Sequence, residues 1–136
     1  MPTFKEGLGL INGAQMMTGE SALILYDAER LVKTALIAMA MTLDVLKAVP
    51  KAYHPRVHES RPFAGQIAVA RNLRKLFDGS EIMADPSGKV QDGYSMRCTP
   101  QVIGPTIDAY HYVRDQILTE INAASDNPLF FPDEKL

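Results

Sequence analysis

A run of seven consecutive apolar residues, Ala35 to Met41, constrains the fold of this chain more than any other feature. Seven such residues cover the whole circumference of an α-helix at 3.6 residues per turn, so this helix is expected to be buried on all sides. The surrounding segment, Ser21 to Val49, has 20 apolar residues among 29. With Thr18 as N-cap and Pro50 as stop signal, it predicts one helix over residues 19–49, about 45 Å long.

Two further helices are predicted, and proline and glycine mark their ends. No segment alternates apolar and polar residues as a strand does. Two helices cannot cover a third one of this length. We therefore predict an all-α fold, with 1–136 as a single unit of long antiparallel helices that forms part of a larger helical bundle. The first of the two further helices is predicted over residues 61–78, with Pro62 in its first turn and Asp78-Gly79 at its end, and the second over residues 105–125, from Gly104-Pro105 to a point before Asn127-Pro128.

Charge is unevenly distributed along a chain whose formal net charge is −2. Residues 51–75 carry six basic side chains and one acidic side chain, whereas residues 76–136 are predominantly acidic. The basic stretch lacks the interleaved aromatic residues of a platform for single-stranded nucleic acid. We therefore favour packing beside acidic segments of the same chain or of a sister subunit, and we expect no nucleic-acid partner.

The sequence also indicates in which cellular compartment the protein resides. The most apolar window is Ala35 to Val49. Polar residues interrupt it at Thr42, Asp44 and Lys47, so it falls short of the ~18 uninterrupted apolar residues that a membrane span needs. The single cysteine, Cys98, excludes an intramolecular disulfide and favours a reducing compartment. The first 15 residues have no basic segment ahead of an apolar core, as a secretion signal would have. We expect a cytoplasmic protein that does not contact a membrane.

One pair of histidines has the spacing of metal ligands. His54 and His58 are four residues apart, which places two imidazoles on one face of a helix. Pro55 disturbs that helix, however, and the remaining histidine, His111, has no cysteine or carboxylate pattern near it. We therefore predict no metal site.

Polar side chains recur every third residue in the segment 90–101. Gln91, Tyr94 and Arg97 would fan over one arc of a helical turn and offer an amide, a phenol and a guanidinium to one cavity. A guanidinium binds a carboxylate through two parallel hydrogen bonds, and a phenol can donate or accept a proton. The trio suits an anionic substrate such as an amino acid, but the spacing is equally compatible with the polar face of a short solvated helix.

A second polar candidate is Asn12, which lies between apolar and glycine residues. A buried amide must find hydrogen-bond partners, and the adjacent Gly13 allows the backbone of another segment to approach closely. Asn12 is therefore either a satisfied core residue or part of a site.

Four blocks of the sequence resemble consecutive blocks of the histidine/phenylalanine ammonia-lyase family, in the same order. Tyr94-Ser-Met-Arg-Cys-Thr-Pro-Gln-Val102 is similar to the histidine form, whereas the plant phenylalanine enzymes typically read Tyr-Ala-Leu-Arg-Thr-Ser-Pro-Gln-Trp. The blocks are Glu6-Gly-Leu-Gly-Leu-Ile-Asn-Gly13, Arg61-Pro-Phe-Ala-Gly-Gln66, Val90 to Gly104, and Glu120-Ile-Asn-Ala-Ala-Ser-Asp-Asn-Pro-Leu129.

The resemblance implies elimination of ammonia from L-histidine to give trans-urocanate. It implies a methylidene-imidazolone prosthetic group, which forms when an internal Ala-Ser-Gly tripeptide cyclises and dehydrates. By the same resemblance, Asn12 and Arg97 would hold the substrate carboxylate, and Asn12 would also lie near the prosthetic group. Tyr94 would be the catalytic residue beside that group and the departing amine, and Gln91 would complete the polar wall. A homotetramer is implied, with active sites built from more than one subunit.

The sequence departs from the family at one decisive point, because Ala-Ser-Gly occurs nowhere in the 136 residues. We therefore expect an internal fragment of a larger lyase, unable to form the prosthetic group and inactive alone. Two alternatives stay open. The chain could be a stand-alone helical oligomerisation module, or it could be a fragment of a phenylalanine or tyrosine ammonia-lyase or of an aminomutase.

Overall fold

The chain folds into long helices connected by short ones, in a computed structural model that describes residue 1, residues 4–84 and residues 88–134. No strand occurs in these ranges, so the predicted all-α class is confirmed. The helices are α1 (Glu6–Gly9), α2 (Gln15–Val45), α3 (Pro55–Glu59), α4 (Ala64–Leu76), α5 (Glu81–Ala84), α6 (Tyr94–Arg97) and α7 (Thr99–Ile121), with 3-10 turns at Pro50–Tyr53 and Pro132–Glu134.

The three long helices α2, α4 and α7 pack against one another and enclose a small core. The N-terminal end of α2 lies beside Ser125, after the end of α7, and Val49, just after α2, lies beside Asp92, before α7 begins. The two longest helices are therefore antiparallel. The buried core consists of Leu36, Ala40, Leu43, Ala48, Tyr53, Val69, Leu73 and Met83.

The first long helix begins and ends earlier than predicted, at Gln15 and Val45. Thr18 is not its N-cap, because its hydroxyl lies inside the first turn and donates to the carbonyl of Ala14 at 2.8 Å. The helix ends before Pro50 because Lys47 adopts a left-handed conformation with φ of 49°.

The last long helix begins at Thr99, six residues before the predicted start. Pro100, not Pro105, occupies the first turn, where a missing N–H costs nothing. Pro105 lies inside the helix and removes one backbone hydrogen bond there. By contrast, α4 lies within the predicted range 61–78, and Phe63 is its N-cap.

Within the single chain the apolar helix is not buried on all sides, because the other helices cannot cover one of this length. Only Leu36, Ala40 and Leu43 of α2 are buried, while Leu31 is 70% exposed and Met41 66%. The other helices cover one stripe of α2 and leave the rest uncovered. Within the described residues, no helix combines the length and the hydropathy needed to cross a membrane.

Candidate functional site

The segment 90–101 forms one wall of a cavity of about 250 Å³. Gln91 and Arg97 both line it, so two of the three predicted side chains share one space. They do not share a helix, however, because α6 begins at Tyr94 and Gln91 lies in the extended chain before it. The rest of the lining is Val49, Lys51, Ala52, Val90 and Asp92.

Arg97 is held against Tyr94 and keeps hydrogen-bonding capacity. Its Cζ atom lies 4.3 Å from the centroid of the Tyr94 ring, within the range of a cation–π contact. Its Nε atom is buried and has no hydrogen-bond partner among the described residues. Tyr94 is itself 73% exposed. An unpaired buried donor is costly, so this guanidinium is set up to receive an acceptor from outside the chain.

Two buried side chains that sequence reasoning missed attach this motif to the segment after α2. Asp92 accepts a hydrogen bond from the backbone N–H of Val49 at 2.5 Å, and the hydroxyl of Tyr53 donates to the carbonyl of Met96 at 2.9 Å. The one available signal was the position of Asp92 directly after Gln91, because a charged residue in a buried wall must have partners.

Asn12 belongs to a different cluster, built around Asp126. Its Nδ2 donates to Oδ1 of Asp126 at 2.6 Å and to Oδ1 of Asn127 at 3.1 Å. Lys5 donates to the other carboxylate oxygen of Asp126 at 2.7 Å, and this ion pair is the main reason why the pKa of Asp126 is lowered. Both amide hydrogens of Asn12 are therefore directed at groups of the same chain.

The structure does not bring Asn12 and Arg97 together within one chain. Arg97 precedes the first residue of α7, whereas the cluster of Asn12 and Asp126 lies beyond its last residue. A helix of the length of α7 spans roughly 35 Å. The two groups that the resemblance assigns to one carboxylate therefore lie at opposite ends of the bundle.

The two spaced histidines have separate roles in folding. His54 accepts a hydrogen bond from the N–H of Arg56 and caps α3. His58 is buried, and its two ring nitrogens bond to the carbonyl of Ala52 at 3.0 Å and to the amide of Gln66 at 3.1 Å. In the described part of the chain, acidic, histidine and cysteine side chains form no cluster of three that could hold a metal ion.

A family model described as aromatic amino acid lyase matches residues 2–136. The chain belongs to the aromatic amino acid lyase family. The resemblance seen in the four sequence blocks is thereby confirmed. Curated relatives include the histidine ammonia-lyase of Alkaliphilus oremlandii, 48% identical over 133 residues, and that of Symbiobacterium thermophilum, 50% identical over 133 residues.

The match covers 97% of this chain but 26% of each of those two lyases, so the chain spans about a quarter of their length. Solved lyase structures agree with the fold. Histidine ammonia-lyase from Trypanosoma cruzi matches with a TM-score of 0.82 and 39% identity, over 95% of this chain and 23% of that one. Phenylalanine ammonia-lyase from Rhodosporidium toruloides matches with a TM-score of 0.90 and 34% identity, over 97% and 21%.

Proposed function

We propose that this chain supplies part of the active site of a histidine-type ammonia-lyase, which releases ammonia from L-histidine to give trans-urocanate. The observation that carries the proposal is the cavity shared by Gln91 and Arg97, with the buried Nε of Arg97 unpaired and its guanidinium against Tyr94. The preference for histidine is supported by curated relatives named histidine ammonia-lyase at 48% and 50% identity.

Each of the three side chains has a physical task in this proposal. The guanidinium of Arg97 binds the substrate carboxylate, and the amide of Gln91 orients the polar atoms beside it. The exposed phenol of Tyr94 is free to move a proton at the amine that departs. Fixing the carboxylate and the amine places the reacting carbon, which is catalysis by positioning.

The family's methylidene-imidazolone group supplies an electrophile for the departure of ammonia. The residues present fit a site of this kind, because the buried Nε of Arg97 has no partner among the described residues and can still donate to an anionic substrate. The 136 residues contain no Ala-Ser-Gly from which the group could form. In this proposal the tripeptide is therefore supplied by polypeptide outside this sequence, and the chain alone does not turn over histidine.

We infer that one site takes residues from two copies of the chain. Asn12 and Arg97 lie at opposite ends of α7, so the same carboxylate can meet both only when another copy supplies one of them. The uncovered apolar surface of α2 supports such an assembly, because apolar helices of this length associate or aggregate when left in water. The homotetramer implied by the family resemblance and the cytoplasmic location expected from the sequence remain part of this proposal.

Asn12 needs one rearrangement to act on a carboxylate, because both of its amide hydrogens are engaged within the chain. The hydrogen bond to Asn127, at 3.1 Å, is longer than that to Asp126, at 2.6 Å. We infer that the Asn127 bond is the one exchanged for the substrate, while Asp126 keeps the amide in place.

The direct test is a substrate assay on two preparations. This chain alone, given L-histidine, is expected to produce no urocanate. A lyase polypeptide that contains this sequence together with an Ala-Ser-Gly segment is expected to produce urocanate from L-histidine and to act weakly on L-phenylalanine and L-tyrosine. A polypeptide that yields only cinnamate, coumarate or β-amino acids would replace the histidine proposal by a phenylalanine/tyrosine lyase or an aminomutase.

A further inference from the structure

The segment 49–53, which contains the turn at Pro50–Tyr53, is joined to the motif that carries Arg97 at two points on either side of Tyr94. Asp92 accepts from Val49 before the motif's helix begins, and Tyr53 donates to Met96 within that helix. A four-residue helix such as α6 cannot hold its own orientation, because one turn contains too few hydrogen bonds. Its direction must therefore be imposed from outside, and these two contacts are placed to do so.

Tyr53 is the more rigid of the two anchors. It is fully buried, and its ring packs edge-on against Phe77 with the centroids 5.5 Å apart. Arg74 also donates to its backbone carbonyl at 2.7 Å, which fixes the main chain behind the ring. Burial raises the pKa of the Tyr53 hydroxyl far above its ordinary value, so it remains a hydrogen-bond donor at any physiological pH.

The acceptor of that donor lies between the two proposed functional side chains. Met96 is next to Arg97 and two residues from Tyr94. Its carbonyl also accepts from the hydroxyl of Thr99 at 2.8 Å, at the first residue of α7. One carbonyl oxygen thus connects the buried Tyr53, the short helix α6 and the long helix α7.

Asp92 is the second anchor and has a side chain only 1% exposed. Its Oδ2 receives the N–H of Val49, and its Oδ1 lies 3.5 Å from Nζ of Lys89. It lines the same cavity as Gln91 and Arg97. Because it is adjacent to Gln91 in the chain, fixing its carboxylate also fixes where Gln91 enters the cavity wall.

We propose that Tyr53 and Asp92 are positioning residues, which hold α6 so that the Arg97 guanidinium lies over the Tyr94 ring and faces the cavity. The effect that this inference predicts on catalysis rests on the proposed function. The geometric part concerns this chain alone and is tested without any assay of activity.

The geometric test measures the position of Arg97 in the 136-residue chain by NMR. Protons of a guanidinium above an aromatic ring are shifted upfield, and Tyr94→Leu gives the resonance position without that ring. Tyr53→Phe removes only the hydroxyl and is expected to move the Arg97 Nε–H resonance most of the way to the Tyr94→Leu position. The matched control Tyr112→Phe removes a hydroxyl from an exposed ring and is expected to leave the resonance unchanged.

Asp92 provides a second and independent pair of variants. Asp92→Ala removes the acceptor for the N–H of Val49 and is expected to displace the same Arg97 resonance. Asp92→Asn keeps an acceptor oxygen and is expected to restore it. This rescue separates positioning from general destabilisation, because both substitutions remove the charge. If Tyr53→Phe fails to fold, as judged by circular dichroism, the comparison of Asp92→Ala with Asp92→Asn tests the inference by itself.

The catalytic consequence is measured in a lyase polypeptide that contains this sequence. There, Tyr53→Phe is expected to lower kcat/KM about tenfold, in line with the loss of one buried hydrogen bond, and Tyr112→Phe is expected to leave it unchanged. An unshifted Arg97 resonance in folded Tyr53→Phe and Asp92→Ala overturns the inference. Absence of lyase activity in the unsubstituted polypeptide would instead overturn the proposed function, while the NMR result would stand.

Discussion

The backbones of α4 and α7 touch at Gly65 and Gly104, where a Cβ atom on Gly65 would lie 2.1 Å from the carbonyl oxygen of Gly104. A Cβ on Gly104 would in turn lie 2.5 Å from the backbone nitrogen of Gln66. Neither obstacle is a flexible side chain. The two helices can therefore pack at this distance only because both positions are glycine, and Asp108 of α7 adds a hydrogen bond to the N–H of Gly65 at 2.8 Å.

Gly104→Ala is accordingly expected to lower the free energy of unfolding by about 2–4 kcal/mol, because the helices must move apart to admit one methyl group. Urea denaturation at fixed protein concentration measures the change. Gly19→Ala is the matched control, since Gly19 also lies inside a long helix but a Cβ there meets no atom within 4 Å. The control is expected to raise stability by up to about 1 kcal/mol. Equal effects of the two substitutions would contradict the close contact.

The same contact explains why the start of α7 could not be read from the sequence. Gly104-Pro105 has the composition of a helix boundary, yet in the structure Gly104 is a packing position inside the helix. Only the presence of α4 against this face of α7 distinguishes a glycine at a packing contact from a glycine at a helix boundary. The range of α4 was easier to predict, because Pro62 precedes the helix and Gly79 follows it closely in the sequence.

The spacing of Gln91, Tyr94 and Arg97 left two interpretations open, a shared cavity and the polar face of a solvated helix. In the structure Gln91 and Arg97 line one cavity, although Gln91 lies outside the helix that was to carry it. The sequence could not show that Asn12 lies at the far end of α7, because spacing along a chain carries no information about which copy supplies a residue. Tyr53 and Asp92 were missed because their contacts join segments 43 residues apart.

His58 predicts a loss of stability in mild acid. Its Nε2 faces the Ala52 carbonyl, which can only accept, so Nε2 carries the hydrogen and Nδ1 accepts from the Gln66 amide. The orientation of the Gln66 amide is fixed, because Arg61 donates to its oxygen at 3.0 Å. A flipped amide would point its NH₂ group at Arg61, which is also a donor. Burial lowers the pKa of His58, and the nearby charge of Arg74 lowers it further.

The sign of the pH effect follows from that lowered pKa. Below pH 6.5, the ordinary pKa of histidine, His58 binds a proton more readily in the unfolded chain than in the folded chain. The free energy of unfolding is therefore expected to fall between pH 7 and pH 5.5. Urea denaturation of His58→Gln is expected to show lower stability at pH 7 and a flatter pH profile. The exposed His111→Gln should keep the parent slope, and a parent slope in His58→Gln would refute the assignment.

Lys5 is expected to control the ionisation of Asp126, and through it the anchoring of Asn12. Lys5→Ala removes the largest cause of the lowered pKa of Asp126 and should raise this pKa toward the ordinary value of an aspartate. Carbon-13 NMR of the Asp126 carboxyl group measures the shift. Lys33→Ala is the control, because Lys33 pairs with Glu29 on α2 instead. An unchanged Asp126 titration in Lys5→Ala would show that the N-terminal segment is not docked as described.

The uncovered surface of α2 predicts that the chain self-associates. Leu31 is 70% exposed on a helix whose buried residues form only one stripe. Burying one such side chain in a partner contributes about 1.5–3 kcal/mol, and a charge at the same position would instead have to be desolvated. Leu31→Glu is therefore expected to lower the average mass in light scattering, relative to the parent chain at the same concentration.

The control for this prediction places the same charge on an exposed apolar residue of a helix other than α2. Val57 lies on the short helix α3 and is 44% exposed, so Val57→Glu is expected to keep the mass of the parent. Equal losses of mass in both variants would point to general electrostatic repulsion rather than a contact through α2. A parent chain that scatters as a monomer at high concentration would rule out association through this surface. It would also rule out a site shared between two copies of the 136-residue chain.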